Sequence, residues 1–211
     1  MVEVKKYHLP PTDLIPNSPH PVLHYIGLLD QLHITDHISE KFHDLFHSNG
    51  WQTQWIFRYG PTQRSHYHSQ AHEVMAVLSG TATIRFGVAD TSPDLETAAA
   101  AHEEGGVEVP AKAGDIFVLP AGTAHKTFDT TPGDFALLTP GDGHRVDAKG
   151  VRADGGFTMM GAYPADSEPW DYAVGGERVK GEEYEKVWAV PKPERDPVLG
   201  TAEEGICGQW K

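Results

Sequence analysis

Two stretches of this sequence decide its fold: GPTQRSHYHSQAHEVMAVLSG, residues 60–80, and GDIFVLPAGTAHKTFD, residues 114–129. The first begins and ends with glycine, and the second begins with glycine and contains a proline–glycine turn ahead of its histidine. Between them they supply three imidazoles and one carboxylate, His66, His68, Glu73 and His125. Alternate side chains of a strand share a face, so the first two histidines point the same way. The spacing therefore predicts that the four side chains can converge on one metal ion, leaving coordination positions open.

The composition predicts a single globular domain. A chain of 211 residues that is 39% hydrophobic is long enough to bury a full core. Its formal net charge of −13, with no basic cluster, argues against nucleic acid and anionic membranes as partners. The single cysteine, Cys207, excludes an intrachain disulfide framework, and no apolar run resembles a signal peptide or a membrane span. We expect a cytoplasmic protein.

The first 50 residues are expected to form an arm and a helix. Residues 1–35 alternate prolines with short apolar runs, which is typical of an extended arm or an edge strand. Residues 37–50 then carry apolar side chains at helical spacing, followed by the stop signal Ser-Asn-Gly. This pattern predicts one short helix over about 37–49.

From Trp51 onwards the apolar period changes to two, which predicts β-strands. The candidate strands are WQTQWIFRYG, HEVMAVLSG, TATIRFGV, VEVPAKAG, DIFVLPAG, AHKTFDTT and DFALLTPG. We expect an all-β barrel core over residues 51–140, with an acidic surface excursion at 88–106 whose residues 95–102 have some helical character. Residues 141–211 are expected to form a loop-rich segment whose large aromatic side chains pack on the barrel or on a second subunit.

The two stretches match both signature motifs of the cupin superfamily, with Asp129 where the second motif usually has asparagine. This resemblance implies a single cupin domain over residues 1–211, folded as a jelly-roll β-barrel. It also implies one divalent metal ion on the residues corresponding to His66, His68, Glu73 and His125. A narrower resemblance, to the YjlB-like branch, covers nearly the whole chain through IPNSPHPVLHY, HYHSQAHEV, LPAGTAHK and the tail GAYP…WDY…DPVLG. That branch is largely without an assigned reaction, and the 88–106 excursion is longer than we expect for it.

The ligand set has one open alternative. His72 adjoins Glu73, and strand parity allows only one of the two to point inward. The motif spacing selects Glu73 and leaves His72 as a flanking group that supports the site, or as the alternative ligand. On a simpler interpretation, His66 and His68 are surface histidines on an exposed strand. Gly80, Gly114, Pro120 and Gly122 are expected to form turns on either interpretation.

Candidate pocket residues follow from parity and proximity. Parity from His125 places Thr127 and Asp129 inward, and parity from Glu73 does the same for Met75 and Val77. Phe57 and Tyr59, or else Trp55 and Phe57, are expected to form an aromatic wall. Arg64 and Lys126 are the nearest cations by sequence and could hold a carboxylate. For each of these residues, ordinary packing or a solvated rim is the competing interpretation.

The function hypothesis is a metal-dependent enzyme acting on a small organic molecule, with the ion as Lewis acid or O₂ activator. Dioxygenase, decarboxylase and isomerase chemistry all occur on this barrel, and an oxygenase is the first expectation. The donor set suits Fe(II), Mn(II), Ni(II), Zn(II) or Cu(II) without choosing among them, and Fe(II) or Mn(II) is the preferred expectation. The competing hypothesis is a non-catalytic binding or storage cupin; a metal-free sugar epimerase or a transcription regulator fits less well. Single-domain cupins commonly pair their barrels through exchanged terminal strands, so the resemblance, together with the Pro-rich arm at residues 9–35, implies a homodimer with arm exchange.

Overall fold

The computed structural model describes residues 2–95, 97, 100–131, 134–139, 146–175 and 181–211. Its strands are β1 Val4–Tyr7, β2 Val22–Tyr25, β3 Trp51–Arg58, β4 Glu73–Ser79, β5 Thr81–Phe86, β6 Val107–Lys112, β7 Ile116–Leu119, β8 His125–Phe128, β9 Ala136–Leu137 and β10 Thr158–Pro164. Its helices are α1 Leu28–Gln31, α2 Ile38–Ser48, α3 Gly181–Trp188 and α4 Ile206–Gln209. Each of the seven sequence runs predicted as strands contains one of β3 to β9.

The strands form two antiparallel sheets. One has the strand order β1-β2-β7-β4-β10-β3-β9, and the other has the order β6-β5-β8. The predicted all-β jelly-roll fold is confirmed. Strands distant in sequence therefore lie side by side, and this arrangement can bring the two histidine-bearing stretches together.

The strand β4 shows why the central strands are continuously apolar in sequence. Its side chains Val74, Ala76 and Leu78 pack into the cluster that also contains the aromatic residues of α2. The intervening Met75 and Val77 pack into a second cluster with residues of the three-stranded sheet. A strand buried on both faces needs apolar side chains at nearly every position.

The helix α2 confirms the helix predicted over residues 37–49. It begins after His37 and ends at Ser48, where Gly50 adopts a positive φ of 82°. Phe42 and Phe46, four residues apart, are fully buried against the seven-stranded sheet. This apolar stripe fixes the helix on the outer face of that sheet, away from the histidines.

The strand β10 was not predicted, and it lies in the middle of the large sheet. It pairs with β3 on one side and β4 on the other. At Gly161 a Cβ atom would lie 2.0 Å from the indole of Trp55, so this position needs glycine for close approach rather than for a turn. Glycine and proline normally indicate loops. In the strand TMMGAYP the glycine instead makes room for the indole of Trp55.

The two ends of the chain pack onto this chain's own sheets. In the arm, β1 pairs with β2, and β2 pairs with β7. From the tail, Phe157, Tyr163 and Trp210 are fully buried, whereas Tyr172 is half exposed. Arm exchange between two copies remains a prediction.

The acidic excursion is anchored at its base. An isolated bridge joins Asp90 to His102, and Leu95 between them is exposed. Within the described part of residues 88–106 there is no helix, which agrees with the interpretation as a surface excursion. Across the described ranges, no helix has both the length and the apolar character that a membrane span requires.

Candidate metal centre

His66 and His125 face each other because their backbones pair directly. The His66 N–H donates to the His125 carbonyl over 3.1 Å, and the His125 N–H donates to the His66 carbonyl over 2.8 Å. Directly opposite residues of an antiparallel pair place their side chains on the same face. The two ring centroids are consequently 4.2 Å apart.

The predicted turn at Pro120–Gly122 positions both histidine-bearing segments. The Thr123 N–H donates to the Pro120 carbonyl, and the Gly122 N–H donates to the His68 carbonyl over 2.8 Å. Gly122 has φ 87°, and a Cβ there would lie 2.6 Å from Val187 Cγ1. Glycine is therefore required at this turn for both conformation and space.

The three imidazoles form one buried cluster. One ring nitrogen from each of His66, His68 and His125 lies within 4.8 Å of the corresponding nitrogen of the other two. All three side chains are almost completely buried. Such a separation matches donors arranged around a single ion.

Each imidazole is held in the same tautomer by the backbone. His66 Nδ1 lies 3.0 Å from the Arg64 carbonyl oxygen, and His125 Nδ1 lies 3.2 Å from the Thr123 carbonyl oxygen. His68 Nδ1 makes a close contact with the Asp171 carbonyl oxygen. A carbonyl only accepts, so Nδ1 carries a proton in each ring, and Nε2 is the nitrogen that offers a lone pair to a metal ion when the ring is neutral.

Glu73, the first residue of β4, places its carboxylate against two of these rings. Its Oε1 lies 3.3 Å from His68 Nε2, and its Oε2 lies 3.4 Å from His125 Nε2. The Tyr163 hydroxyl donates to Oε1 over 2.6 Å and itself accepts from Trp55 Nε1 over 3.0 Å. Among the described residues, the buried Oε2 has no hydrogen-bond partner.

Burial and mutual attraction or repulsion shift the pKa values of these four groups in different directions. Burial, reinforced by the neighbouring imidazoles, holds the pKa of His66 well below 6.5, and burial also lowers the pKa of His125. Burial alone would lower the pKa of His68, but the Glu73 carboxylate beside it raises that pKa overall. Burial alone would raise the pKa of Glu73, but the His68 ring lowers it to about 2. Near neutral pH the site therefore holds an ionised Glu73 and neutral rings at His66 and His125.

The donor set fits a divalent ion. Three ring nitrogens from β8 and the segment before β4 form the cluster, and the Glu73 carboxylate of β4 lies beside two of them with a buried oxygen that has no hydrogen-bond partner among the described residues. An unpartnered buried acceptor is costly, and a cation between these atoms would remove that cost. Three neutral imidazoles and one carboxylate suit Fe(II), Mn(II), Ni(II), Zn(II) or Cu(II).

His72 lies on the opposite side of the strand from this cluster. Its Nδ1 accepts the Ala121 N–H over 2.9 Å, and its Nε2 lies 3.1 Å from the Pro191 carbonyl. Both ring nitrogens are therefore engaged by backbone groups. The structure brings Glu73, not His72, to the imidazoles, and His72 supports the turn that precedes His125.

A cavity of about 310 Å³ opens beside the four side chains. Of the predicted aromatic wall, Trp55, Phe57 and Tyr59 all line it, since alternate residues of one extended segment share a face. Its remaining lining consists of Gln63, Phe135, Tyr163, Trp170 and Tyr172. The site is thus polar at its base and aromatic along its walls.

Among the residues that the structure describes, several that were predicted for the pocket do not line the cavity. The Arg64 guanidinium donates to the carbonyls of Ser92 and Pro93 in the acidic excursion. Lys126 is fully buried, and its Nζ pairs with Asp90 at 2.9 Å. Asp129 is an exposed turn residue with φ 50° immediately after β8 ends, so strand parity does not extend to it.

Met75 and Thr127 are buried, as parity predicted, but neither is among the residues that line the cavity. Met75 packs within the core between the two sheets. The Thr127 hydroxyl lies 3.5 Å from Gln63 Nε2, and it is Gln63 that reaches the cavity. Inward-facing strand positions below the cavity are therefore filled by packing.

The sequence analysis missed Tyr163, Trp170 and Tyr172. Tyr163 comes from the unpredicted strand β10, and the other two come from the tail. An isolated bridge between Tyr67 and Ala173 holds that part of the tail beside the histidine segment. The available signal was the WDY sequence within an aromatic tail that had to pack somewhere, but no periodicity indicated where.

Comparison with known proteins gives one family match and one full-length relative. The sequence profile described as "Cupin" matches residues 34–139. The chain is 27% identical over 205 residues to the uncharacterized protein YjlB of Bacillus subtilis, covering 95% of this chain and 93% of that protein.

Solved structures with a similar fold are more distant. RmlC from Streptococcus suis, solved with dTDP-D-xylose, is 11% identical, with a TM-score of 0.36 over 92% of this chain and 94% of that one. Oxalate decarboxylase from Lactobacillus farciminis, solved with formate, is 14% identical, with a TM-score of 0.30 over 66% of this chain. Vicilin from hazelnut is 14% identical, with a TM-score of 0.25 over 56% of this chain. The chain spans only 35% and 24% of the lengths of the last two.

Proposed function

The chain belongs to the cupin family, and we propose that it binds one divalent metal ion and acts as a mononuclear metalloenzyme on a small organic molecule. The ligands that we propose are His66, His68, Glu73 and His125. Fe(II) or Mn(II) is the preferred ion, with Ni(II), Zn(II) and Cu(II) as alternatives. Oxygenase chemistry is the first expectation, ahead of decarboxylase and isomerase chemistry.

One observation carries this proposal. Three buried imidazoles with Nδ1 bonded to backbone carbonyls lie in one cluster, and the Glu73 carboxylate beside two of them has an Oε2 without a hydrogen-bond partner among the described residues. Surface histidines would have no reason to share a tautomer or to surround a buried carboxylate. The arrangement is the one expected of metal ligands and the backbone groups that orient them.

Each residue has a definite task in this proposal. The histidines hold the ion with neutral nitrogens, and Glu73 contributes one negative charge that leaves a net charge of +1 on a divalent ion. Tyr163 fixes the carboxylate through Oε1 and leaves Oε2 free. The aromatic walls exclude water from a bound molecule and so strengthen electrostatic interactions at the base of the cavity. A divalent ion held there would supply Lewis acidity or O₂ activation.

Metal analysis of protein purified without added ions tests the proposal. We expect one transition metal ion per chain, and the Co(II) or Fe(II)–nitrosyl spectrum is expected to show an open coordination position. Oxygen-uptake and CO₂-release assays against small acids, diols and phenols then separate an enzyme from a binding protein. A tightly bound ion that admits no exogenous ligand would instead favour a non-catalytic binding or storage cupin.

We also propose that the protein is a cytoplasmic homodimer that exchanges its N-terminal arms. The proposal rests on the Pro-rich arm at residues 9–35 and, for the compartment, on the single cysteine. Sedimentation at micromolar concentration is expected to give a dimer. A monomer at that concentration would contradict the exchange.

A further inference from the structure

One wall of the cavity comes from a single strand and its extension. Trp55 and Phe57 stack with ring centroids 4.9 Å apart, and Tyr59 meets Phe57 edge to face at 6.4 Å. Phe135 extends this wall at the entrance, 5.4 Å from Phe57, and it is 64% exposed. Exposed aromatic surface beside a buried polar site is typical of a place where a ligand enters.

Further aromatic surface comes from the tail and β10. Tyr172 stacks on the His66 ring with centroids 4.0 Å apart and planes 15° from parallel. Trp170 stacks on Tyr163 at 5.7 Å and meets His68 edge to face at 5.4 Å. A molecule in the cavity would therefore contact aromatic rings supplied by β3, β10 and the tail.

The volume limits what can enter. A cavity of roughly 150 Å³ is enough to hold benzene in a protein core. The volume here is about 310 Å³, about twice that amount. The cavity therefore has room for one substituted ring or two fused rings.

The charge of the site limits the ligand further. Among the residues described as lining the cavity there is no lysine or arginine, and Arg64 and Lys126 bond to groups of the excursion instead. A dicarboxylate would bury a second negative charge against aromatic rings with no cation beside it, which is costly. The net +1 charge of a loaded site is neutralised by one anionic oxygen, and it repels a cationic ligand.

We propose that this cavity binds a planar aromatic molecule that carries an acidic hydroxyl group, of the naphthol or phenol type. The aromatic walls would hold the ring, and the hydroxyl oxygen would face the four proposed ligands. This substrate class rests on the proposed metal-dependent function for the role of the hydroxyl. The preference of the walls for a flat ring is independent of the ion.

Isothermal titration with two probes of equal heavy-atom number tests the proposal. We expect metal-free protein to bind 2-naphthol about tenfold more tightly than decahydro-2-naphthol, because stacking on two or three rings favours the flat probe. In Zn(II)-loaded protein the affinity for 2-naphthol is expected to rise further. Choline is expected to bind the Zn(II)-loaded protein more weakly than 2-naphthol does, and oxalate is expected to bind the metal-free protein more weakly than 2-naphthol does.

Matched variants at the entrance locate the effect. Phe135→Ala removes an exposed ring that lines the cavity, and it is expected to weaken 2-naphthol binding several-fold. Leu137→Ala removes an exposed apolar side chain two residues away that does not line it, and should leave binding unchanged. Equal affinity for both probes, tighter binding of choline than of 2-naphthol by the loaded protein, or tighter binding of oxalate than of 2-naphthol by the metal-free protein, would overturn the proposal. If the flat probe is preferred but the protein takes up no metal, the cavity assignment stands and the metal-dependent function fails.

Discussion

Glu73 and Asp196 are both almost completely buried carboxylates, but their surroundings are opposite. Asp196 accepts four hydrogen bonds: Oδ1 from the Val198 and Leu199 N–H groups, and Oδ2 from the Ile206 N–H and the Tyr25 hydroxyl. Glu73 faces imidazoles, and its Oε2 has no hydrogen-bond donor among the described residues. One carboxylate is fully satisfied by the fold, and the other is not.

The difference indicates which buried charge serves structure and which serves chemistry. Burying a carboxylate is costly unless hydrogen bonds or opposite charges compensate. At Asp196 the fold compensates completely, so nothing is left to bind. At Glu73 the compensation is incomplete, which indicates a further positive partner. Cavity size does not make this distinction, since a larger cavity of about 840 Å³ lies beside His72, whose ring nitrogens are both engaged.

The largest expected effect comes from removing an imidazole. His66→Ala or His125→Ala deletes one of three converging nitrogens, and we expect metal content after dialysis to fall from about one ion per chain to a background level. The proteins should remain folded by circular dichroism. His72→Ala is the matched control, because it removes a buried histidine whose nitrogens face the backbone. Loss of metal in a folded His72→Ala protein, with retention in His66→Ala, would reverse the assignment.

The next largest effect is on the free energy of unfolding, which should depend on Asp196 more strongly than on Glu73. Asp196→Ala leaves three backbone N–H groups and the Tyr25 hydroxyl without their acceptor, and should lower the free energy of unfolding by roughly 3 kcal/mol. Urea denaturation of metal-free protein measures this change. The folded fraction is expected to bind metal as the wild type does. A variant of unchanged stability would show that Asp196 is not the structural carboxylate of the pair.

Glu73→Gln should have the converse result. It removes the anionic ligand, so metal affinity is expected to fall about 100-fold in a competition titration against a chelator. The metal-free protein should lose less stability than Asp196→Ala, roughly 1–2 kcal/mol, because an amide oxygen can still accept from the Tyr163 hydroxyl and only the attraction of the carboxylate to the imidazoles is lost. A large loss of stability with unchanged metal affinity would make Glu73 structural.

Tyr163→Phe tests the orientation of the carboxylate and should have a smaller effect. Burial, followed by the nearby Glu73, raises the pKa of Tyr163 well above 10, so its hydroxyl remains a donor at every working pH. Removing it is expected to weaken metal binding about tenfold without preventing loading. Tyr172→Phe, which loses only a hydrogen bond to the Arg64 carbonyl, is the control and should bind metal normally.

The smallest effect is a shift in pH dependence. Glu73 raises the pKa of His68, so the metal-free site keeps a proton there to a higher pH than a free imidazole would. That proton must leave when metal binds, and affinity should therefore rise with pH through and above about 6.5. In Glu73→Gln the cause of the shift is gone, and the rise should move to lower pH. An identical pH profile in both proteins would show that Glu73 does not raise the pKa of His68.

Much of the fold followed from local patterns. The period-two runs predicted β3 to β9, and the spacing of Phe42 and Phe46 predicted α2. The strand β10 was not predicted because Gly161 and Pro164 resemble loop signals. The glycine is explained by the close approach of the Trp55 indole, which is a tertiary contact. The N-terminal arm was recognised as extended, but nothing local indicated which strand it would pair with.

The site could be predicted only as far as its motifs extend. Strand parity placed His66 and His68 on one face and allowed only one of His72 and Glu73 to point inward, and the motif spacing selected Glu73. Parity failed at Asp129, where the strand had already ended, and it could not foresee that Lys126 would pair with Asp90. Tyr163, Trp170 and Tyr172 reach the cavity through long-range pairing, which a sequence pattern does not record.

A crystal structure of metal-loaded protein with anomalous diffraction data tests the central claim most directly. We predict one anomalous peak per chain, about 2.0–2.3 Å from the Nε2 atoms of His66, His68 and His125 and from a carboxylate oxygen of Glu73. A peak at another site, or loaded crystals in which these four side chains surround no ion, would contradict the account.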